Sequence, residues 1–214
     1  RGRGGLPGVS GHDGKSTEAS AVHLSTGQAR DRLTPVPHRI HLFGASGSGT
    51  TTLGAQLAAA IDGAHLDTDS YYWHETDPPF TTKRDINERI ELIKQDSREA
   101  ANWTLSGSLC SWGDPLLECF TLAIFLHLDQ EVRMERLLER ERHRHGARIL
   151  PDGDMYEQHR AFIEWARSYD RARAPIRSLE LHERWMETLP CPVIRLDSSA
   201  SPEEMIADIL SRLD

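Results

Sequence analysis

Residues 44–51 read Gly-Ala-Ser-Gly-Ser-Gly-Thr-Thr, and their types and spacing suit the binding of a polyphosphate. Glycine at such positions permits backbone angles that are costly for other residues and keeps side chains out of the way. Successive backbone N–H groups from about Gly47 to Thr51 then face inward, and the positive end of a following helix adds to the attraction. The spacing is that of the GxxxxGK[ST] loop with one departure, because Thr50 stands where the lysine belongs. The hydroxyl that reaches a magnesium ion in such loops is present as Thr51. The residues expected to surround phosphate are therefore Gly44, Ser46, Gly47, Ser48, Gly49, Thr50, Thr51 and Thr52.

Such a loop works only between a strand and a helix. The apolar run Ile40 to Phe43 supplies the strand, and Leu53, Leu57 and Ala60/Ile61 mark one face of the helix. The same alternation continues along the chain. Ala64 to Asp67 predicts a second strand, ending in Asp67-Thr68-Asp69. Two carboxylates two residues apart on an extended backbone point to the same side. An aromatic, proline-containing passage, Tyr71 to Phe80, precedes a helix expected over about 84–97 with Ile86, Ile90 and Ile93 facing inward. Trp103 to Ser106 is a third strand leading to Gly107-Ser108. Thr121 to His127 is a fourth, apolar almost throughout, as a strand covered on both faces should be. A helix from near Asp129, with Val132 and Leu137/Leu138 as its apolar residues, runs into the charged stretch Glu139 to His145. That stretch is expected to leave the body, with 146–153 a mobile turn. Helical spacing recurs at Met155, Phe162, Ala166 and Tyr169, and again over 176–188. Val193 to Leu196 is the fifth strand. Ser201, Pro202 and Glu204 form a capping-box start for the last helix.

Five strands alternating with helices predict an α/β three-layer sandwich around a five-stranded parallel sheet. Ligands of such sheets sit at the carboxyl ends of the strands. Gly44, Asp67, Asp69, Ser106 to Ser108 and the turn after His127 all fall there.

The totals narrow the partners. The chain has 214 residues, 38% hydrophobic and 27% charged, with a formal net charge of -8. Residues 1–38 carry five Lys/Arg and three Asp/Glu, so the acidic excess resides in the remainder, against a nucleic-acid partner. No apolar run approaches the length of a membrane span, and three cysteines without a CxxC pair fit a reducing cytoplasm. Residues 1–38, polar and rich in Gly and Ser, read as a disordered extension, leaving 39–214 as the folded domain.

With these pieces placed, residues 39–214 resemble the small P-loop kinases, the adenylate, shikimate and gluconate kinase group. The resemblance rests on GASGSGTTTLG, on Asp67-Thr68-Asp69 at the end of the second strand, and on the charged segment 139–148. It implies a nucleoside-monophosphate-kinase-like P-loop fold with a mobile helical lid over about 139–155. It also implies ATP and Mg²⁺ as cofactors and a small phosphate acceptor as partner. On this resemblance Thr51 and Asp67 hold the metal and Asp69 is the general base. Lys83, or Arg84 beside it, could supply the missing positive charge or grip the acceptor. Of the lid candidates Arg140, Arg142, Arg144 and Arg148, the two next to Gly146, Arg144 and Arg148, are those expected to close on phosphate. Arginine forks suit phosphate oxygens. After the third strand, Ser106-Gly107-Ser108-Leu109-Cys110 replaces the DGFPR-type motif of adenylate kinases and is closer to the shikimate and gluconate branch. Tyr71, Tyr72, Trp73 and Trp112 could wall the acceptor pocket. Two functions remain open: a Mg²⁺- and ATP-dependent kinase, and a nucleotide-binding module made weak or silent by Thr50.

Overall fold

The computed structural model describes residues 36–213, and the reading of 1–38 as an extension falls mostly outside them. Within the described part, His38 is already tied to the sheet. Its N–H donates to Asn102 Oδ1 at 2.9 Å, and its carbonyl accepts from Trp103 N–H at 2.9 Å.

The elements follow the expected alternation. Strand β1 (Arg39–Gly44) leads into helix α1 (Thr50–Ala60), then β2 (Ala64–Asp67) and the short α2 (Thr68–Tyr72). Helix α3 (Ile86–Asp96), β3 (Trp103–Ser106), a 3-10 turn at Asp114–Cys119 and β4 (Leu122–His127) come next. Then come α4 (Gln130–His145), a 3-10 turn at Gly146–Ile149, α5 (Tyr156–Arg167) and α6 (Leu179–Met186). Strand β5 (Val193–Asp197) and α7 (Pro202–Leu210) close the order. The strands pair in the order β2-β3-β1-β4-β5, all parallel. The chain builds one side of β1, then crosses to the other, so the end of β1 lies at the point where strand order reverses. That is where open α/β sheets bind ligands.

Side-chain alternation splits the core into two layers. Ile40 and Leu42 of β1, with Leu122, Ile124 and Leu126 of β4, pack against Leu53 and Leu57 of α1 and Met205 and Ile209 of α7. Phe43 and Phe125 face the other way, against Ile90 and Ile93 of α3 and Trp185 and Met186 of α6. His41 joins this second layer as an aromatic, stacked on Phe43 and Phe120 with centroids 5.1 and 4.9 Å away. Its Nδ1 donates to the Leu105 carbonyl at 2.9 Å, and burial pushes its pKa down to about 3, so it serves as a neutral ring. The capping box at Ser201 and Glu204 is present as predicted.

Two helices depart from expectation at particular residues. Ile86 is 46% exposed because it opens α3 directly after its N-cap, Asp85, before the buried stripe of Ile90 and Ile93 begins. In α4 the apolar Val132 is 39% exposed, whereas Arg133 is fully buried. Arg133 Nη1 donates to the Ala166 carbonyl at 2.9 Å, and Nη2 pairs with Asp170 at 2.5 Å. The charged end of α4 is exposed at Arg142, His143 and Arg144 but is not wholly solvated. Glu141 is buried, bonded to Arg140 at 2.9 Å and 3.7 Å from His145 Nε2. Nor is 146–153 an open turn: Gly153 N–H donates to the Leu150 carbonyl and Met155 N–H to the Arg148 carbonyl, both at 2.9 Å.

The Arg133–Asp170 pair holds the α4–α5 hairpin together, so Asp170→Ala strands a buried guanidinium. The expected loss is about 3 kcal/mol of unfolding free energy, the low end for a broken buried pair because Asp170 itself touches solvent. Urea unfolding measures it, and a loss below about 1 kcal/mol, the worth of a surface pair, would contradict the assignment. Among the described residues no helix is long and apolar enough to cross a membrane.

Candidate active site

The loop after β1 is closed on itself only once: Ser48 N–H donates to the Ala45 carbonyl at 3.1 Å. The first helical bond of α1 runs from Leu53 N–H to Gly49 O at 3.0 Å. Among the described residues no protein group accepts from the amides of Gly47, Gly49, Thr50 or Thr51, the arrangement that leaves a helix start free for an anion. Gly47 has φ +90, and a Cβ there would lie 2.5 Å from the Arg133 carbonyl oxygen. No other residue both adopts that angle freely and lets α4 pack so close to the loop.

At the neighbouring strand end, Thr51 Oγ1 donates to Asp67 Oδ2 at 2.9 Å, and Asp69 N–H donates to Asp67 Oδ1 at 3.0 Å. The backbone does not stay extended through this stretch, contrary to the sequence expectation. Asp67 is the N-cap of α2, which begins at Thr68, so the two carboxylates are set by a helix start instead of a strand repeat. Asp67 turns to Thr51, while Asp69 is open to solvent within surrounding protein. That setting raises the Asp69 carboxyl above its ordinary range, mainly through desolvation and then through the Asp67 charge. Arg177, Arg140 and Arg144 act in the opposite direction on it. Arg140 and Arg144 are one helical turn apart on α4 and so share a face.

Of the sequence-predicted cations, the structure brings Arg144 toward Asp69 but not Lys83 or Arg148. Lys83 is exposed, bridges Trp73 through its backbone and holds its ammonium 5.8 Å from the Tyr72 ring centroid. Arg148 joins Asp77 and Asp154, each at 2.5 Å, and thereby clasps the turn after α4 to the loop after α2. Gln158 reinforces the clasp by donating to the Pro79 carbonyl at 2.8 Å. Thr52 is exposed on the first turn of α1.

Two arginines escaped the sequence reading. Arg177 Nη2 donates to Ser46 Oγ at 2.6 Å, and its guanidinium lies 4.5 Å from the Trp165 ring centroid. Arg89 of α3 is 5% exposed, with its guanidinium 3.8 Å from the Tyr72 centroid and 5.4 Å from that of Trp112. No carboxylate pairs with Arg89 among the described residues; its Nε donates to the Arg84 carbonyl at 2.8 Å. Neither arginine sits in a motif or a periodic stripe. The only sequence hint was that four aromatic residues flank this region. Of those four, Tyr71 belongs to the core, with its hydroxyl on Asp96 at 2.8 Å, while Tyr72, Trp73 and Trp112 cluster beside Arg89. Ser108, after β3, shares a buried chain: its Oγ is 3.0 Å from His182 Nε2, and Tyr169 OH is 2.7 Å from His182 Nδ1. Burial lowers the His182 pKa to about 3 and pushes the Cys110 thiol up to about 11, so Cys110 is no activated nucleophile.

A five-stranded parallel sheet with this loop at its switch point is the fold of the small P-loop kinases. It is similar to shikimate kinase from Bacteroides thetaiotaomicron, with a TM-score of 0.52 and 16% identity over 82% of this chain and 98% of that one. It is also similar to shikimate kinase from Acinetobacter baumannii, solved in complex with shikimate, with a TM-score of 0.50 and 14% identity over 84% and 94%. At such identities the likeness is one of fold. No protein-family model matches the sequence. The chain belongs to the family of the uncharacterized protein YqaC of Bacillus subtilis (strain 168), with which it shares 45% identity over 174 residues, 81% of this chain and 96% of that protein.

Proposed function

We propose that this protein is a Mg²⁺- and ATP-dependent kinase that transfers the γ-phosphoryl group to a small molecule bearing an anionic group, and that it works in the cytoplasm. The observation that carries this reading is the convergence, at one sheet edge, of free loop amides, the Thr51–Asp67 pair and Asp69 within reach of arginine charge. Phosphoryl transfer asks mainly for positioning and charge neutralisation, which these groups supply.

The residues fit a nucleotide-borne Mg²⁺. Two hard oxygens, from Thr51 and Asp67, already lie 2.9 Å apart. The described residues hold no group of three or more His, Cys, Asp or Glu suited to a metal. That suits Mg²⁺, which binds through one or two protein oxygens, phosphates and water. The ion would neutralise charge on the transferring phosphoryl group. Asp69 would take the proton from an acceptor hydroxyl, and Ser108 and Trp112 would border the acceptor.

Arg89 supports the anionic acceptor. A buried guanidinium braced by two aromatic faces, with no carboxylate partner, is poised for a carboxylate or phosphate. The test is a thermal-shift screen of hydroxylated carboxylates, sugar phosphates and neutral polyols, with Mg²⁺ and a non-hydrolysable ATP analogue. Stabilisation by an anionic compound, dependent on the nucleotide and lost in Arg89→Met, is expected. Equal stabilisation by neutral polyols would contradict it.

The second reading, a nucleotide binder with feeble turnover, is favoured by Thr50. Loss of one strong electrostatic stabiliser in a preorganised site removes about 2.7–4 kcal/mol from the transition state unless another cation replaces it.

A further inference from the structure

The loop has no lysine, and the two lysines of the 39–214 region lie elsewhere. Lys83 rests over Tyr72, and Lys94 pairs with Glu91 at 3.4 Å on α3. One cation does touch the loop. Arg177, in the segment joining α5 to α6, reaches across 131 residues of sequence to place Nη2 2.6 Å from Ser46 Oγ. Its planar group is supported on the Trp165 ring at 4.5 Å. Among the described residues it has no carboxylate partner, unlike Arg133, Arg148, Arg173 and Arg195, each of which forms an ion pair. Its Nε is buried without any acceptor. Holding a half-buried guanidinium in no ion pair is unfavourable, and the chain has done so beside a row of free amides.

We propose that Arg177 takes over the task of the missing loop lysine, pairing with the terminal phosphate oxygens of a bound nucleoside triphosphate. This rests on the nucleotide-binding reading above and adds to it the origin of the cation. The charge comes from the α5–α6 segment instead of from α1, so the triphosphate is gripped between the loop and the wall opposite. A guanidinium suits that position because its fork can hold Ser46 and a phosphate oxygen at once, whereas an ammonium on the loop would act as a point charge. Thr50 is then tolerable, because a second cation on the loop would duplicate one already present. Arg177 also adds positive charge at Asp69, the expected base, from the same spot.

The experiment is calorimetric titration with Mg·AMP-PNP and with MgADP of four proteins: wild type, Arg177→Gln, Arg177→Lys and Arg177→Gln/Thr50→Lys. Arg177→Gln should weaken triphosphate binding by about tenfold or more, and diphosphate binding by less, since the missing contact is to the terminal phosphate. Thr50→Lys in that background should restore most of the triphosphate affinity, and Arg177→Lys should fall between. A merely structural role would move both nucleotides alike and would not be rescued from the loop. Unchanged triphosphate binding in Arg177→Gln, or failure of the second substitution to restore it, overturns the proposal. A wild type that binds neither nucleotide instead overturns the nucleotide reading itself. Should Arg177→Gln not fold, Thr50→Lys alone decides: a gain below about threefold is expected with the cation already in place, and a gain of about tenfold or more overturns the assignment.

Discussion

Asp69→Asn should lower turnover by about a hundred- to ten-thousandfold, the usual worth of a positioned general base, while leaving Mg-nucleotide affinity near that of wild type. The substitution keeps the size of the side chain and removes its charge, and with it the capacity to take a proton. The backbone N–H of residue 69 still donates to Asp67, so the metal-side carboxylate is not disturbed. The pH profile offers a second readout. Desolvation by the surrounding protein and then the Asp67 charge raise the Asp69 pKa, and a base acts in its ionised form. Activity therefore climbs as pH rises through that elevated value, so the acid limb lies above the ordinary aspartate pKa of 3.8. The limb should vanish in the Asn protein. Turnover in Asp69→Asn equal to wild type would remove Asp69 from the chemistry, as an acceptor that is itself a phosphate would require.

Thr51→Val is the other large effect. It preserves volume while deleting the hydroxyl that donates to Asp67. Removing a single preorganised group of this kind costs about a hundred- to thousandfold in turnover. The loss should be specific to the metal. Affinity for ATP with Mg²⁺ falls, whereas affinity for ATP in the presence of a chelator stays near wild type, because the loop amides are untouched. Asp67 keeps its bond from Asp69 N–H, so the strand end should remain in place. Equal Mg²⁺ dependence in both proteins would show that Thr51 merely caps α1.

The fold was legible because each of its rules is local. Alternation of apolar runs with helical spacing placed all five strands, and Ser201-Pro202 with Glu204 announced α7 from sequence alone. The loop was equally visible, since its glycines and hydroxyls are contiguous. What sequence could not show was which charged residues turn inward. Arg133 sits in a helix full of charge and looks like its neighbours, yet packing against Ala166 and Asp170 makes it core. Arg177 becomes a site residue only through a contact with Ser46, far away in the chain. Lys83 and Arg148 suggested themselves by position, but the structure sets Lys83 over Tyr72 and pairs Arg148 with Asp77 and Asp154. The Asp67-Thr68-Asp69 motif was placed correctly at the strand end, but its geometry was missed because Asp67 caps a helix no pattern announced.

The most direct measurement is an isothermal titration of the purified full chain with ATP, with and without Mg²⁺. Binding of one ATP per chain, tightened by the metal, is what a free-amide cradle beside the Thr51–Asp67 pair predicts. A protein that takes up neither ATP nor GTP with Mg²⁺ present would contradict the account at its base.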